Sequence, residues 1–151
     1  MFWRKTLDIK IKILSKNATL PKYHTKGSVG MDIYTCLESY SVIIKPKERK
    51  LISTGIALEI PKKYGGFIFS RSGLSFKNGI FLCNGVGVID NDYNGEIKIP
   101  LINISTKTYT LKHGSRIAQI IIIPFEKINL IQAKELTKTQ RNGKGFGSTG
   151  E

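Results

Sequence analysis

The stretch Asn84-Gly-Val-Gly-Val-Ile-Asp90-Asn-Asp-Tyr93-Asn-Gly95-Glu96 decides the reading of this chain. Strand-like runs at 80–89 and 97–102 flank its centre, Asp90 to Gly95. Asp, Asn and Gly tolerate the positive backbone angles of a tight turn, so the stretch predicts a β-hairpin. Asp90 stands at the strand end, and Tyr93 projects from a turn that favours small polar residues. Spacing alone favours a solvated turn with an incidental tyrosine. The same pair could also hold a water and a flat ligand.

Working outward, Leu7, Ile9, Ile11 and Ile13 alternate with Asp8, Lys10 and Lys12, which predicts a strand with one buried face. Residues 17–30 read as a loop leading into Met31-Asp32-Ile33-Tyr34. Further strands are expected at 41–45, 51–60 (interrupted at Thr54-Gly55) and 67–70, with Gly65-Gly66 as a turn before the last. Residues 72–78 predict a single helical turn ending at Asn78-Gly79. After the central stretch, 109–112 and 117–124 give two strands, and 128–133 a candidate last one. The Ile120-Ile-Ile-Ile123 run lacks alternation, so both its faces should be covered, a partner subunit being one means. No segment keeps a helical period over three turns. The pattern predicts an all-β sandwich or jelly-roll barrel in one domain, residues 1–136, followed by a glycine-rich arm, 137–151.

Composition sets bounds. In 151 residues, 40% apolar and 23% charged, 24 Lys and Arg face 11 acids, a net charge of +13. That excess suits nucleic acid, an acidic membrane surface or a phosphorylated small molecule. It is dispersed, with no run of five like charges, which disfavours a DNA-binding arm. Cys36 and Cys83 lack zinc-site spacing and read as buried free thiols, fitting a reducing cytoplasm. His24 and His113 are isolated, so no metal cluster is expected. The N-terminus lacks a signal-like apolar stretch, and the run at 117–125 is too short to span a bilayer as a helix. The expectation is a soluble, cytoplasmic protein without nucleic-acid or membrane partners.

The arm Arg141-Asn-Gly-Lys-Gly-Phe-Gly-Ser-Thr-Gly150 reads by composition as a plain solvated terminus. Its glycines could also let backbone N–H groups converge on an anion, with Ser148, Thr149 and Arg141 adding donors. It does not match the nucleotide P-loop.

Five stretches taken together resemble the homotrimeric all-β dUTP diphosphatases. They are Gly30-Met-Asp32-Ile-Tyr34, Arg71-Ser-Gly-Leu-Ser75, the 84–96 stretch, Gly114-Ser-Arg116-Ile-Ala-Gln119 and the glycine-rich arm. Leu20-Pro-Lys-Tyr23 is similar too, and the likeness covers about residues 20 to 150. It implies a jelly-roll-type barrel that hydrolyses dUTP to dUMP and pyrophosphate, with each site built from three subunits. Asp90 is then the base holding the attacking water. Tyr93 packs under the deoxyribose and excludes a 2′-hydroxyl. Asn84 and the main chain of Gly87, Val88 and Ile89 read the uracil edge. Arg71, Ser72 and Gly73 meet the phosphates, and Gln119 the α-phosphate region, with Asp32 supporting the polar network. Arg141, Ser148 and Thr149 clamp the γ-phosphate, Phe146 covers the base, and Gly147 beside them counts among the substrate-binding residues. Mg²⁺ is expected mainly on the triphosphate oxygens and water, with few or no protein ligands.

The arm departs from the family's usual pattern, since Asn142 and Lys144 stand in place of glycines. Val29 and Ser75 replace commoner alanines, and no reacting group is lost. The nearest rival by resemblance, a dCTP deaminase, carries a catalytic glutamate where this chain has Pro100. A non-catalytic signalling protein on this fold would be expected to lack Asp90 or Tyr93. A nucleic-acid-binding module would need basic residues interleaved with aromatics, which the chain does not show.

Overall fold

The computed structural model describes residues 6–140 together with 142 and 143. The elements run β1 (Lys10–Ile13), β2 (Met31–Tyr34), β3 (Ser41–Ile44), β4 (Arg49–Ser53), β5 (Ile56–Glu59) and β6 (Tyr64–Ser70). A short helix, α1 (Ser72–Asn78), follows. Then come β7 (Ile80–Leu82), β8 (Gly87–Ile89), β9 (Lys98–Asn103), β10 (Tyr109–Lys112) and β11 (Arg116–Pro124). All pairings are antiparallel and build four small sheets: β1-β5, β10-β3, β4-β9-β7 and β2-β11-β6-β8. The all-β expectation therefore holds. No helix among the described residues is long and apolar enough to cross a membrane.

The sheets enclose one aliphatic core. Ile33, Ile44, Ile80, Ile99, Leu101 and Ile120 are fully buried within it. The period of two sets which residues turn inward, as in β9, where Ile99, Leu101 and Asn103 are buried and Pro100 and Ile102 are not. Asn103 is tolerated there because every polar atom is satisfied. Its Nδ2 donates to the carbonyls of Ile44 and Lys107 (2.9 and 2.8 Å), and its Oδ1 accepts from the N–H and hydroxyl of Ser105 (2.9 and 2.7 Å).

Several local expectations are corrected. The 80–89 and 97–102 runs do not form a hairpin. The first breaks into β7 and β8 at the left-handed Gly85 (φ 71°); β7 pairs with β9, whereas β8 pairs with β6 in another sheet. The Asp90–Gly95 turn therefore joins two sheets. Gly65-Gly66 lies inside β6 and is not a turn. A Cβ on Gly66 would come within 3.0 Å of Ile60 Cδ1 and 3.2 Å of Ile89 Cβ, so glycine here serves close packing and not a bend. Residues 128–133 carry no strand, and Ile128, Leu130 and Ile131 are exposed. Leu7 to Ile9 precede β1, which starts at Lys10. Cys36 is buried as expected, but Cys83 is exposed, because β7 ends at Leu82 and the chain turns outward. The 72–78 helix forms and stops at Gly79 (φ 66°), whose N–H caps Leu74 and Ser75 carbonyls.

Candidate active site

The residues singled out in the sequence fall into two clusters at opposite edges of the β2-β11-β6-β8 sheet. On the β2 side, Asp32 is the hub. Its Oδ1 accepts from Arg71 Nε (3.1 Å), and its Oδ2 from Arg116 Nη1 (3.2 Å) with His24 Nε2 at 3.3 Å. Arg71 stands between β6 and α1 and reaches past β11, where its Nη1 also donates to the Arg116 carbonyl (3.2 Å). A bulge in β11 between Arg116 and Ala118 turns Arg116 toward β2. Gln119, the register partner of Asp32, donates from Nε2 to the Ser70 carbonyl (3.2 Å). Gln119 packs against the bare backbone of Gly30, where a Cβ would lie 2.8 Å from its Oε1 and displace the amide. His24, Gly30, Asp32 and Gln119 line a common cleft of about 220 Å³. Ser72 and Gly73 are exposed in the first turn of α1.

On the β8 side, Asp90 follows the last residue of that strand and is exposed. Its carbonyl accepts the Tyr93 N–H (3.1 Å), closing the turn. Tyr93 is not incidental. Its hydroxyl donates to the Glu96 carbonyl (2.9 Å), and the ring leans so closely over Gly95 that a Cβ there would lie 2.6 Å from the hydroxyl oxygen. The ring is thus a fixed wall, partly open to solvent. Glu96 anchors the turn's far end by accepting the Gly55 N–H (2.9 Å). Asn84 is exposed just before Gly85, and Gly87 passes tightly beside Ile68, 3.1 Å from a would-be Cβ. Val88 points outward and Ile89 is half-buried.

Register measures how far apart the two clusters lie. Ile89 pairs with Gly66, and Gly66 with Ile122, whereas Asp32 pairs with Gln119. Three strand spacings separate β2 from β8, and Asp90 lies four residue levels along the strands from Asp32. At about 4.8 Å per spacing and about 3.3 Å per residue, the backbone positions of the two aspartates in one chain stand roughly 19 Å apart.

His24 and Arg116 were not among the expected site residues. Arg116 sits inside a quoted motif, but its aim depends on the bulge. His24 is placed by the Lys22–Asp32 bridge, which folds the loop back onto β2; nothing in the local sequence signals that fold-back. Arg141, Phe146, Gly147, Ser148 and Thr149 lie outside the described residues. Among the described residues no three His, Cys, Asp or Glu side chains gather as a metal site. Pro100 lies in β9 with its carbonyl accepting the Cys83 N–H (2.9 Å), and it offers no proton-transfer group.

An all-β frame that presents an exposed acid beside a fixed aromatic wall, with arginines gathered on Asp32 at the other edge, has the groups that water activation and phosphate binding need. The dUTPase family model matches residues 16–150. The chain belongs to the dUTPase family, and it hydrolyses dUTP. It is 47% identical over 144 residues to the deoxyuridine 5′-triphosphate nucleotidohydrolase of Hydrogenobaculum sp., covering 95% of this chain and 99% of that one. With the Finegoldia magna enzyme of the same name, identity is 50% over 143 residues, covering 94% and 99%. The dUTPase of Staphylococcus bacteriophage 80alpha with dUPNHPP superposes with a TM-score of 0.87 at 30% identity, covering 97% of this chain and all of that one. A mutant dUTPase from phage phi11 of S. aureus, whose structure details the coordination of a structural Mg(II) ion, gives a TM-score of 0.77 at 27% identity, covering 85% and 98%.

Proposed function

We propose that dUTP is hydrolysed at a site completed only between copies of this chain, in a homotrimer. The observation that carries this reading is the roughly 19 Å between Asp32 and Asp90 within one chain. A general base works within hydrogen-bond reach of its water, about 3 Å. If Arg71 and Gln119 meet the phosphates, the Asp90 serving them comes from a neighbour. Ile128, Leu130, Ile131 and Leu136 beyond β11 are exposed among the described residues, which supports association.

In this reading Asp90 holds a water in line with the α-phosphorus and takes its proton as the new P–O bond forms. The bond from the α-phosphorus to the oxygen bridging to the β-phosphate breaks, releasing pyrophosphate and dUMP. Arg71 and the exposed first turn of α1, with Ser72 and Gly73, bind phosphate oxygens, and Gln119 faces the α-phosphate. Tyr93, fixed by Glu96, closes the space a 2′-hydroxyl would need. Asn84 and the backbone of Gly87–Ile89 read the uracil edge. The donor set fits a metal carried by the substrate, since the Asp32 carboxylate is already taken up by two arginines and His24. Mg²⁺ bound to the triphosphate and water supplies charge neutralisation. The arm, 137–151, closes over substrate through Arg141, Phe146, Gly147, Ser148 and Thr149. The cytoplasm is the expected compartment.

Subunit complementation tests the shared site. Arg71→Ala and Asp90→Asn proteins should each be nearly inactive alone. Refolded together in equal amounts, they should recover about a quarter of wild-type activity, because about one site in four then draws both intact residues from different chains. Mixed assemblies as inactive as their parents would return the site to a single chain.

A further inference from the structure

The loop residue His24 lines the same cleft as Asp32 and Gln119, and its Nε2 has two competing partners. It lies 3.3 Å from Asp32 Oδ2 and 3.0 Å from the Tyr34 hydroxyl. One ring nitrogen cannot serve both in the same way. Carrying a proton, it donates to the carboxylate; with the proton on Nδ1, it accepts from the tyrosine O–H. Asp32 and Tyr34 face the ring from β2. Arg116 on β11 and Arg71 beyond β6 hold the same carboxylate, and Lys22, Tyr23 and Lys26 flank His24 on its own segment.

We propose that His24 is a pH-sensitive positioning residue for dUTP turnover: the protonated ring holds Asp32, and the neutral ring exchanges that contact for the Tyr34 hydroxyl. Arg116 and His24 share one carboxylate oxygen, so the protonated ring adds a second hold on Asp32 at that atom. A held Asp32 in turn fixes the Arg71 guanidinium. The inference rests on the reading that Asp32, Arg71 and Gln119 form the phosphate side of the site.

The test is steady-state dUTP hydrolysis between pH 5.5 and 8.5, as approximate limits bracketing histidine ionisation, with full-length wild type, His24→Ala, His24→Gln, Tyr34→Phe and Asp32→Asn. Each variant is expressed relative to wild type at the same pH, which cancels ionisation of Asp90 and of the substrate. His24→Ala should raise KM about three- to tenfold at the acid end, with kcat within about twofold. That deficit should shrink as pH rises, because the wild type then loses the same contact. His24→Gln, which keeps an N–H donor, should restore most of the binding at the acid end. Tyr34→Phe should bind better than wild type at the alkaline end.

Ring nitrogen NMR gives a readout independent of activity. His24 and His113 are the two histidines, and His113 Nδ1 accepts the Leu37 N–H (3.0 Å), so its neutral ring carries the proton on Nε2. Neutral His24 should show the opposite tautomer. An unchanged KM in His24→Ala, a deficit equal at every pH, or an Nε2-protonated neutral His24 would overturn the proposal. If Asp32→Asn alters KM while His24→Ala does not, the positioning role alone fails. If Asp32→Asn leaves KM unaltered, the phosphate-side reading fails with it.

Discussion

Single residues in this chain separate chemistry from scaffold. Asp90 is exposed and makes its turn bond through its carbonyl, so its carboxylate is not part of the frame. Asp90→Asn should therefore fold normally and bind dUTP, yet lose on the order of 10²–10⁴ in kcat. Pyrophosphate release measured beside a binding titration checks both halves. Gly95 is the reverse case, carrying no chemistry but fixing the position of a ring. Gly95→Ala places a carbon within 2.7 Å of Tyr93 Cζ, so the wall must shift. The expected outcome is a smaller ratio of kcat/KM for dUTP over UTP, with thermal stability nearly unchanged. An unaltered ratio would remove Tyr93 from sugar discrimination.

Among the elements, the β3–β4 connection shows how a turn can be tied by one carboxylate. Glu48 Oε2 accepts the Lys45 N–H (2.6 Å), with Lys50 Nζ 3.5 Å from Oε1. The Lys45 N–H holds the Glu48 carboxyl below its ordinary value of 4.5, and Lys50 adds to the effect. A depressed folded-state value means the contribution is present above the unfolded value and lost as pH falls through the folded one. Glu48→Gln should therefore unfold at a slightly lower temperature than wild type at pH 7, and the gap should close on acidification below about pH 4. Thermal melts across that range decide it. The strands here were largely legible in the sequence, because β-branched runs broken by Gly, Pro and Asn signal short strands directly. Their partners were not. Nothing local distinguishes a hairpin around Asp90 from a crossing between sheets, since both need the same turn residues. Gly65-Gly66 misled for a similar reason: glycine marks a tight approach as readily as a bend. At the candidate site, residue roles came from the family resemblance and not from any local pattern. The Asp32 hub was not legible, because it depends on a bulge at Arg116 and on a loop that returns to β2 at Lys22.

At the scale of the molecule, the stretch after β11 matters most. Phe125 is tethered by its N–H to the Lys63 carbonyl (2.9 Å), and residues 126–140 are exposed beyond it. Four large aliphatics there are uncovered among the described residues, so the assembly should depend on them. Leu130→Asp combined with Ile131→Asp should weaken association, with sedimentation showing smaller species at low concentration. Ending the chain after Gln140 should leave assembly and melting temperature nearly unchanged while turnover falls steeply. Full activity in that truncation would leave the glycine-rich end as a plain terminus.

The distance between Asp32 and Asp90 also bears on timing. If the site is shared between copies as proposed, a chain fresh from synthesis would carry two half-sites and no catalyst, so activity would begin only after encounters between copies. Output would then rise more steeply than the number of chains, giving a threshold at low expression and a lag after induction. A cell carrying one impaired copy of the coding sequence would incorporate faulty chains into assemblies with sound ones, spreading the defect according to which half-site was lost.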